Sequence, residues 1–281
     1  MEQEYTIICG EKIPKILIGT NHMTLDQLKE VCNAALEIGI KGFDTSPNYR
    51  TEASLGKIIN GWVLERRVSR EDIFVQDKID NEPLVRAHGN IQDLVQQSLE
   101  KLDLEYIDSL LLHWPTPDLY IKAYKQLEVL LEKGYVRHIG VSNFRVRHLV
   151  KLLDAEISHS PEFNQIELHP LRTVNGQRRF HDKHNIITQA YAPLCRMKSE
   201  IIDSDIMKAV VNKYQKTPAQ IILRWHLDLG IIPVFKTDKP YRVQENCNVF
   251  DFSLTDEEVE KITKLDQDYK FHIESVCCPG F

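Results

Sequence analysis

The sequence of 281 residues lacks the features that mark several specialised classes of protein. No stretch approaches the roughly 18 consecutive apolar residues of a membrane-spanning helix, so a membrane protein is not indicated. It also lacks a long basic run, and its 35 Lys and Arg against 41 Asp and Glu give a net charge of −6. This balance gives no electrostatic reason to expect a nucleic-acid or anionic-membrane partner. The first residues, 1–5, include two glutamates, unlike the basic start of a secretory signal peptide.

Paired cysteine motifs are absent as well. The six cysteines are Cys9, Cys32, Cys195, Cys247, Cys277 and Cys278, and none belongs to a Cys-x-x-Cys motif. Disulfide frameworks are typical of shorter secreted chains, so we expect reduced thiols in a cytoplasmic protein. The adjacent Cys277 and Cys278 could sense redox state or bind a soft metal, but a mobile tail without function is the simpler expectation.

The glycine-rich dinucleotide-binding motif is also absent. The 12 glycines include no Gly-x-Gly-x-x-Gly motif after a strand, so an open-sheet dinucleotide-binding fold is not supported. Low-complexity linkers and shifts of composition are missing too. We therefore predict a single domain over residues 1–281, which is within the length of one α/β barrel.

What the sequence does contain is a recurring pattern of short apolar runs rich in β-branched residues. Continuous runs of this kind are typical of parallel strands that are buried on both faces. The eight runs are Ile16–Thr20, Gly42–Thr45, Ile73–Ile79, Ile107–His113, His138–Ser142, Phe163–Leu168, Ile187–Leu194 and Ile231–Lys236.

Helical patterns lie between these runs. Apolar residues recur at helical spacing from Leu25 to Leu36, from Ile91 to Leu102 and from Tyr124 to Leu131. Thr217-Pro218 and the capping box at Thr255 to Glu258 mark two further helix starts. Eight strands alternating with helices predict an α/β fold, a closed (β/α)₈ TIM barrel. We expect two helical segments, one of them extra, in the gap after Leu194, and an N-terminal β-hairpin from Tyr5–Cys9 and Lys12–Lys15 that plugs the barrel.

Polar residues stand at the ends of these predicted strands, where the active site of such a barrel forms. Asp44 ends the second run, with Tyr49 five residues later; Lys78 lies in the third run, and His113 ends the fourth. Each residue alone has an ordinary structural explanation, such as a turn, a packed ring or a loop histidine. A buried lysine, however, needs an acidic partner, and Asp44 on the adjacent strand is the natural one.

Together these four residues suggest a proton donor for a carbonyl oxygen. The ordinary pKa of tyrosine is about 10, and a nearby ammonium would favour phenolate and lower it. Tyr49 beside Lys78 is then a candidate general acid, and a neutral His113 could orient the carbonyl by hydrogen bonding. Because no side chain supplies hydride, this chemistry implies a nicotinamide cofactor.

Several long motifs, in the right order over about nine tenths of the chain, resemble the signatures of the aldo-keto reductase superfamily. They are Gly42-Phe-Asp-Thr-Ser-Pro-Asn-Tyr49, Leu111-Leu-His-Trp-Pro115, Ile139-Gly-Val-Ser-Asn-Phe144, Asn164-Gln-Ile-Glu-Leu-His-Pro170 and Lys236-Thr-Asp-Lys-Pro-Tyr-Arg-Val-Gln-Glu-Asn246. The resemblance implies an NADPH-dependent enzyme that reduces an aldehyde or ketone to an alcohol.

The resemblance also assigns site residues. It implies a catalytic tetrad of Asp44, Tyr49, Lys78 and His113 with Tyr49 as the acid, and substrate contacts from Tyr49, His113 and Trp114. Residues implied to bind the cofactor are Gly19, Thr20, Asn21, Asp44, Ser142, Asn143, Gln165, Tyr191, Ala192, Leu194, Lys236, Thr237, Asp238, Arg242, Glu245 and Asn246.

Within that set the implied roles differ along the cofactor. Ser142, Asn143 and Gln165 would bond the nicotinamide carboxamide, Tyr191 would stack on its ring, and Ala192 and Leu194 would line the pyrophosphate path. Lys236, Thr237 and Arg242 would hold the 2′-phosphate, and Glu245 and Asn246 the adenine. Two cations, one of them a bidentate arginine, suit a phosphate independently of the resemblance, which favours NADPH over NADH. Asp238 in the same loop would weaken that preference.

Departures from the family pattern bear on the substrate. Arg50 replaces a usual glycine, either at the pocket mouth or on the surface. Asn21-His22 and Ile79-Asp80 stand where aromatic residues are common, which would leave Trp114 as the main aromatic wall of a polar pocket. The segments after His113 and Phe252 are short, so we expect an open pocket suited to small aldehydes, dicarbonyls or sugar-like carbonyls.

We expect a monomer. Two other functions fit parts of the sequence. The barrel could be a sensor or regulatory protein that binds the cofactor without turnover, although an intact tetrad argues against this. Glu167 and His169 alternate to one side of a strand and could ligate a metal, but His169-Pro170 belongs to a family motif that binds none. We therefore expect no metal.

Overall fold

A computed structural model describes residues 4–8, 10–278 and 281 of the chain. Residues 1–3 and Cys9, which entered the expectations about the N-terminus and the cysteines, lie outside the described residues. An antiparallel hairpin opens the structure, formed by β1 (Tyr5–Ile8) and β2 (Glu11–Pro14). The N-terminal hairpin predicted from the sequence is therefore present.

Eight parallel strands form a closed barrel, which confirms the predicted (β/α)₈ fold. The strands follow one another around the barrel in chain order, and the last pairs with the first. They are β3 (Leu17–Gly19), β4 (Gly42–Asp44), β5 (Phe74–Ile79), β6 (Ile107–Leu112), β7 (Val136–Ser142), β8 (Phe163–Glu167), β9 (Ile187–Tyr191) and β10 (Ile232–Phe235). Each lies within or overlaps one of the eight predicted runs.

Helices surround the barrel. They are α1 (Leu25–Glu37), α2 (Glu52–Leu64), α3 (Asn81–Arg86), α4 (Gln92–Leu102), α5 (Tyr120–Glu132), α6 (Val146–Leu153), α7 (Asn175–Lys183), α8 (Ser199–Ile202), α9 (Asp205–Tyr214), α10 (Pro218–Asp228), α11 (Pro240–Cys247), α12 (Asp256–Thr263) and α13 (Glu274–Cys277). Thr217 and Thr255 cap α10 and α12 as predicted, each through a capping box. The gap after Leu194 holds the short α8 besides the two helices expected there.

The strand register determines which side chains meet at the carboxyl end of the barrel. Asp44 pairs with Gln76, and Gln165 pairs with Gln189. Since side chains two residues apart in a strand share a face, Lys78 lies on the same face as Gln76, one step closer to the carboxyl end. Polar side chains from neighbouring strands are therefore brought together inside the barrel, above an apolar layer at its floor that includes Leu17, Leu111 and Phe163.

Two further findings concern the described chain. None of its helices combines the length and the apolar character that a membrane span requires. Its five cysteines, Cys32, Cys195, Cys247, Cys277 and Cys278, are all free thiols.

Candidate active site

The centre of the site is a buried ion pair between Lys78 on β5 and Asp44 on β4. Nζ of Lys78 donates to both carboxylate oxygens of Asp44 at 2.7 Å and to the carbonyl oxygen of Thr45 at 2.9 Å. The Lys78 side chain is fully buried and that of Asp44 nearly so. The acidic partner expected for the buried lysine is therefore in place, and three oxygen atoms accept hydrogen bonds from the ammonium.

Two glutamine amides inside the barrel also bind the Asp44 carboxylate. Nε2 of Gln76 and Nε2 of Gln165 donate to Oδ2 of Asp44 at 2.8 and 2.9 Å. Both amides also donate to Oε1 of Gln189. The side chain of Gln165, implied by the resemblance to bind the nicotinamide, is thus also bound to Asp44. Sequence reasoning missed Gln76 and Gln189, although their pairing with Asp44 and Gln165 follows from the strand register.

Tyr49 lies at the mouth of the barrel, at the end of the 3₁₀ turn Pro47–Tyr49. Nζ of Lys78 is 4.8 Å from the centroid of its ring, and the His113 ring meets it edge-on at 5.9 Å. Burial, followed by the negative charges of Asp44, Asp80 and Asp77, raises the pKa of the Tyr49 phenol well above its ordinary value. The expectation that the ammonium lowers this pKa was wrong, because desolvation and three nearby carboxylates outweigh one cation.

His113 follows β6 and is bound through its Nδ1 atom to the carboxylate of Asp80. The backbone N–H of His113 donates to the carbonyl of Ile79, and its carbonyl accepts from Nδ2 of Asn143. Asp80 was regarded from the sequence only as part of the Ile79-Asp80 pair that replaces an aromatic residue. Its spacing of two from Lys78, directly after the end of β5, was the signal that it would face the site.

The residues implied to bind a nicotinamide ring lie beside His113. Oη of Tyr191 donates to Oδ1 of Asn143 at 2.9 Å, and Nδ2 of Asn143 donates to Oγ of Ser142 at 3.1 Å. Asn143 has a positive φ of 63°. These bonds order the polar surface next to the tetrad before any ligand is bound.

Two cations are exposed after β10, the strand next to β9. Lys236 and Thr237 follow β10, and Arg242 lies in the first turn of α11. Within the described chain, neither Lys236 nor Arg242 has a carboxylate partner, and both are exposed. Two unneutralised cations at the start of a helix suit a phosphate group, so the residues present fit the predicted NADP(H). Asp238 is also exposed here, while Glu245 is half-buried and Asn246 is buried within α11.

The remaining residues predicted to contact the cofactor follow β3 and β9. The Thr20 hydroxyl bonds the Asp44 carbonyl and the Thr51 hydroxyl, so its hydrogen bonds are made within the barrel and not at the mouth. Oδ1 of Asn21 is buried without a hydrogen-bond partner in the described structure, which leaves an acceptor for a ligand. The other three are Gly19, Ala192 and Leu194, at the end of β3 and in the turn after β9.

The C-terminal tail, residues 264–278 and 281, covers the mouth. The backbone N–H groups of Phe271 and His272 donate to the carboxylate of Glu167 at 2.7 and 2.9 Å. The His272 ring meets Tyr191 edge-on at 5.5 Å. Glu167, considered from the sequence as a metal ligand, therefore anchors the tail. The expectation of an open pocket was wrong, because the predicted brevity of the tail does not prevent it from folding over the barrel.

The end of the tail packs near Trp114. The Phe281 ring meets the buried Trp114 at 6.0 Å, so this predicted aromatic wall is covered. Cys278 is buried, and the Cys277 carbonyl accepts from Nδ2 of Asn81 at 2.9 Å. The two cysteines therefore belong to a packed segment, not to the loose end that was expected. Arg50, in contrast, is exposed and has a positive φ of 59°.

Comparisons with known proteins agree with this geometry. Residues 15–267 match the model of the aldo/keto reductase family. The chain is 38% identical to a methylglyoxal reductase of Yersinia pestis over 92% of this chain and 90% of that protein. It is 36% identical to a glyoxal reductase of Bacillus subtilis over 86% and 85% of the two chains.

Solved structures are similar as well. An aldose reductase from Schistosoma japonicum superposes with a TM-score of 0.87 at 28% identity, covering 95% of this chain and 93% of that chain. An aldo-keto reductase of Bombyx mori in complex with NADP gives a TM-score of 0.86 at 29% identity, covering 95% and 94%. The chain therefore belongs to the aldo/keto reductase family. The family and its reductase relatives support an oxidoreductase that acts on carbonyl compounds.

Proposed function

We propose that this protein is an NADPH-dependent reductase that converts a small aldehyde or ketone to the alcohol, with Tyr49 as the general acid. The observation that carries the proposal is the convergence of three groups at the mouth. The Tyr49 ring lies 4.8 Å from the Lys78 ammonium and 5.9 Å from the His113 ring, and Asp44 fixes the ammonium. A phenol, an ammonium and an imidazole in this arrangement surround the place of a carbonyl oxygen.

The chain's own residues bind that oxygen and supply its proton. Tyr49 and His113 hydrogen-bond the carbonyl oxygen and orient the carbonyl carbon. When bound, a reduced nicotinamide supplies the hydride that no side chain can provide. Because its raised pKa keeps Tyr49 protonated at neutral pH, the phenol retains the proton that the developing alkoxide needs. The Lys78 ammonium then stabilises the phenolate that is left.

The polar groups around the mouth support NADPH as the cofactor. The cations of Lys236 and Arg242 would hold the 2′-phosphate together with Thr237. Asn143 and Tyr191 would lie at the nicotinamide end, next to the tetrad. NADH lacks the 2′-phosphate and would gain nothing from the two cations, so it would bind less tightly.

Short dicarbonyls and small aldehydes are the substrates that we favour. Support comes from the relatives named as methylglyoxal and glyoxal reductases, whose sequences match this chain over about nine tenths of its length. The covered mouth also restricts the space beside Trp114. Monomeric state, cytoplasmic location and single-domain organisation over residues 1–281 stay predictions.

The experiment that tests the function is NADPH consumption with methylglyoxal, glyoxal, longer aldehydes and sugars. We expect turnover that falls by about a hundredfold or more in Tyr49→Phe, since general acid catalysis contributes at least that much. Tyr135→Phe removes the hydroxyl of an exposed tyrosine and is the matched control. NADPH binding without turnover of any carbonyl would favour the cofactor-sensing alternative.

A separate arm tests the cofactor. The variants Lys236→Ala and Arg242→Ala should weaken NADPH binding about tenfold each and leave NADH binding unchanged, because only NADPH carries the 2′-phosphate. Binding is followed by the quenching of protein fluorescence, so this arm does not depend on turnover. Equal losses for both nucleotides would contradict the phosphate assignment.

A further inference from the structure

Asp80 is an almost fully buried carboxylate at the carboxyl end of β5, with 1% of its surface exposed. Oγ of Ser46 lies 2.9 Å from both of its oxygens, and the backbone N–H of Asn48 donates to Oδ2 at 2.9 Å. Burial opposes ionisation, but the hydrogen bonds from His113, Asn48 and Ser46 and the charge of His113 prevail, and the pKa of Asp80 lies below its ordinary value. Asp80 therefore acts as an acceptor in the site.

The ordinary role for an aspartate at this position is not the one observed. Asp80 is the N-cap residue of α3, yet its side chain makes no capping bond to that helix. Its carboxylate turns instead toward Ser46 and His113. An N-cap bond would stabilise the helix. The sequence thus places a good capping residue here, but its side chain bonds residues of the candidate active site instead of the helix.

His113 presents its two ring nitrogens to different surroundings. Nδ1 is bound to Asp80 and lies 3.5 Å from Oγ of Ser46. No residue of the described chain hydrogen-bonds Nε2, and the ring remains partly exposed beside Tyr49. Because an ionised carboxylate can only accept, Nδ1 carries the proton of this bond. Nε2 is then a donor only when the ring carries a second proton.

We propose that Asp80 is a positioning residue that acts through His113, holding the imidazole by its Nδ1–H so that Nε2 faces the substrate carbonyl oxygen. This inference rests on the proposed carbonyl reduction and gives His113 a partner that the sequence did not predict. When the ring also carries a proton on Nε2, this charged donor stabilises the developing alkoxide more strongly than a neutral one. Tyr49 still supplies the proton.

Several charged groups surround the Asp80–His113 pair. Tyr49 faces the His113 ring, and the Lys78–Asp44 ion pair lies behind Tyr49. Asp77 precedes Lys78 on β5, close enough for its charge to act on Tyr49. Asp80 is the carboxylate in direct contact with the imidazole. Removing its charge alone should therefore weaken the contact that holds the imidazole.

The decisive variant is Asp80→Asn, which keeps the size and an acceptor oxygen but removes the charge. We expect kcat to fall about ten- to a hundredfold with little change in KM or in NADPH affinity, the range known for hydrogen-bond partners of metal-ligating histidines. Asp108→Asn is the matched control: Asp108 is a buried aspartate that bonds Arg70 at the other end of the barrel. It should leave kcat unchanged.

A double-mutant cycle shows whether Asp80 acts through His113. In a His113→Gln background, Asp80→Asn should cost less than twofold, since the group that it positions is gone. If Asp80→Asn fails to fold, Ser46→Ala removes the hydroxyl that holds the carboxylate and should lower kcat about fivefold. Full additivity of the Asp80 and His113 effects would overturn the proposal.

A spectroscopic arm is independent of turnover. In ¹⁵N NMR spectra of the free protein, the proton of the singly protonated His113 ring should reside on Nδ1 in the wild type and be shared between both nitrogens in Asp80→Asn. An unchanged distribution of this proton would overturn the proposal even if the activity falls. If the wild type reduces no carbonyl while the proton is distributed as expected, the proposed function fails and the assignment of the pair stands.

Discussion

Nζ of Lys78 lies 2.7 Å from each carboxylate oxygen of Asp44, inside the barrel and away from solvent. The two residues lie on adjacent parallel strands, and the amides of Gln76 and Gln165 complete the hydrogen bonding of the carboxylate. An ion pair buried in this way is costly to form, and neither charge can be removed alone without leaving the other uncompensated.

We predict that Lys78→Met and Asp44→Asn each lower the free energy of unfolding. The loss for Lys78→Met should be about 3–5 kcal/mol, because the charge of Asp44 is then buried without its partner. The double variant should recover part of this loss. Urea unfolding followed by circular dichroism measures all three proteins. Strictly additive losses would show that the two groups are not energetically coupled.

Asp77 should make the protein less stable as the pH rises. Burial and the nearby Glu52 raise its pKa well above the ordinary 3.8, and Oδ2 is buried without a hydrogen-bond partner in the described structure. The folded state thus binds a proton that the unfolded state releases. Stability then falls with pH above 3.8, by at most about 1.4 kcal/mol per unit, until the raised pKa is passed.

The variant Asp77→Asn removes this proton uptake while its Oδ1 can still accept from the backbone N–H of Lys78. We expect the variant to be more stable than the wild type at pH 8 and the difference to shrink toward pH 5. Thermal unfolding across this range provides the measurement. A constant difference would mean that Asp77 does not titrate on unfolding.

His138 joins the hairpin to the floor of the barrel. Its Nδ1 lies 2.5 Å from Glu162 and its Nε2 lies 3.2 Å from Glu11 on β2. Burial lowers its pKa, but the two glutamates outweigh burial and raise it above the ordinary 6.5. For a raised histidine the stabilisation is complete below pH 6.5 and is lost as the pH rises through the folded-state pKa.

Replacing this residue in His138→Asn should therefore reduce stability more at pH 5.5 than at pH 8.5. The exposed His88, which has a positive φ that asparagine tolerates, supplies His88→Asn as the control. Chemical unfolding at both pH values distinguishes the two variants. If both lose the same stability at both pH values, the bridge between hairpin and barrel does not depend on protonation.

Two glycines of α2 should respond to alanine in opposite ways. A Cβ atom at Gly56 would lie 1.9 Å from the carbonyl oxygen of Leu102, where α2 meets α4, whereas nothing lies within 4 Å of one at Gly61. Gly61→Ala should stabilise the protein by roughly 0.5–1 kcal/mol. Gly56→Ala should destabilise it by about 1–3 kcal/mol or more, since backbone must move. Equal effects in urea unfolding would contradict this close helix packing.

The sequence predicted those parts of the molecule that depend on local pattern and on strand-end geometry. The apolar runs specified all eight strands because both of their faces are buried. The grouping of Asp44, Tyr49, Lys78 and His113 followed because carboxyl ends of barrel strands meet. Their roles in catalysis stay predictions.

Apart from the Lys78–Asp44 ion pair, the tertiary contacts of the site were not predicted. The pKa of Tyr49 was placed in the wrong direction because the sequence names its neighbours but not the burial of its hydroxyl. The bond between Asp80 and His113 joins residues 33 positions apart. The tail shows no regular periodicity, and its attachment to Glu167 joins residues 104 positions apart.

That attachment uses main-chain groups of the tail. The backbone N–H groups of Phe271 and His272 bind one carboxylate, and these groups are present whatever side chains the two positions carry. Elsewhere in the tail, the side chains of Asp266 and Asp268 bond Thr173 and Arg172, and Tyr269 and Phe271 pack against the core. Position 272 can therefore change its side chain without losing the anchor, so the surface that faces Tyr191 can vary while the barrel stays the same.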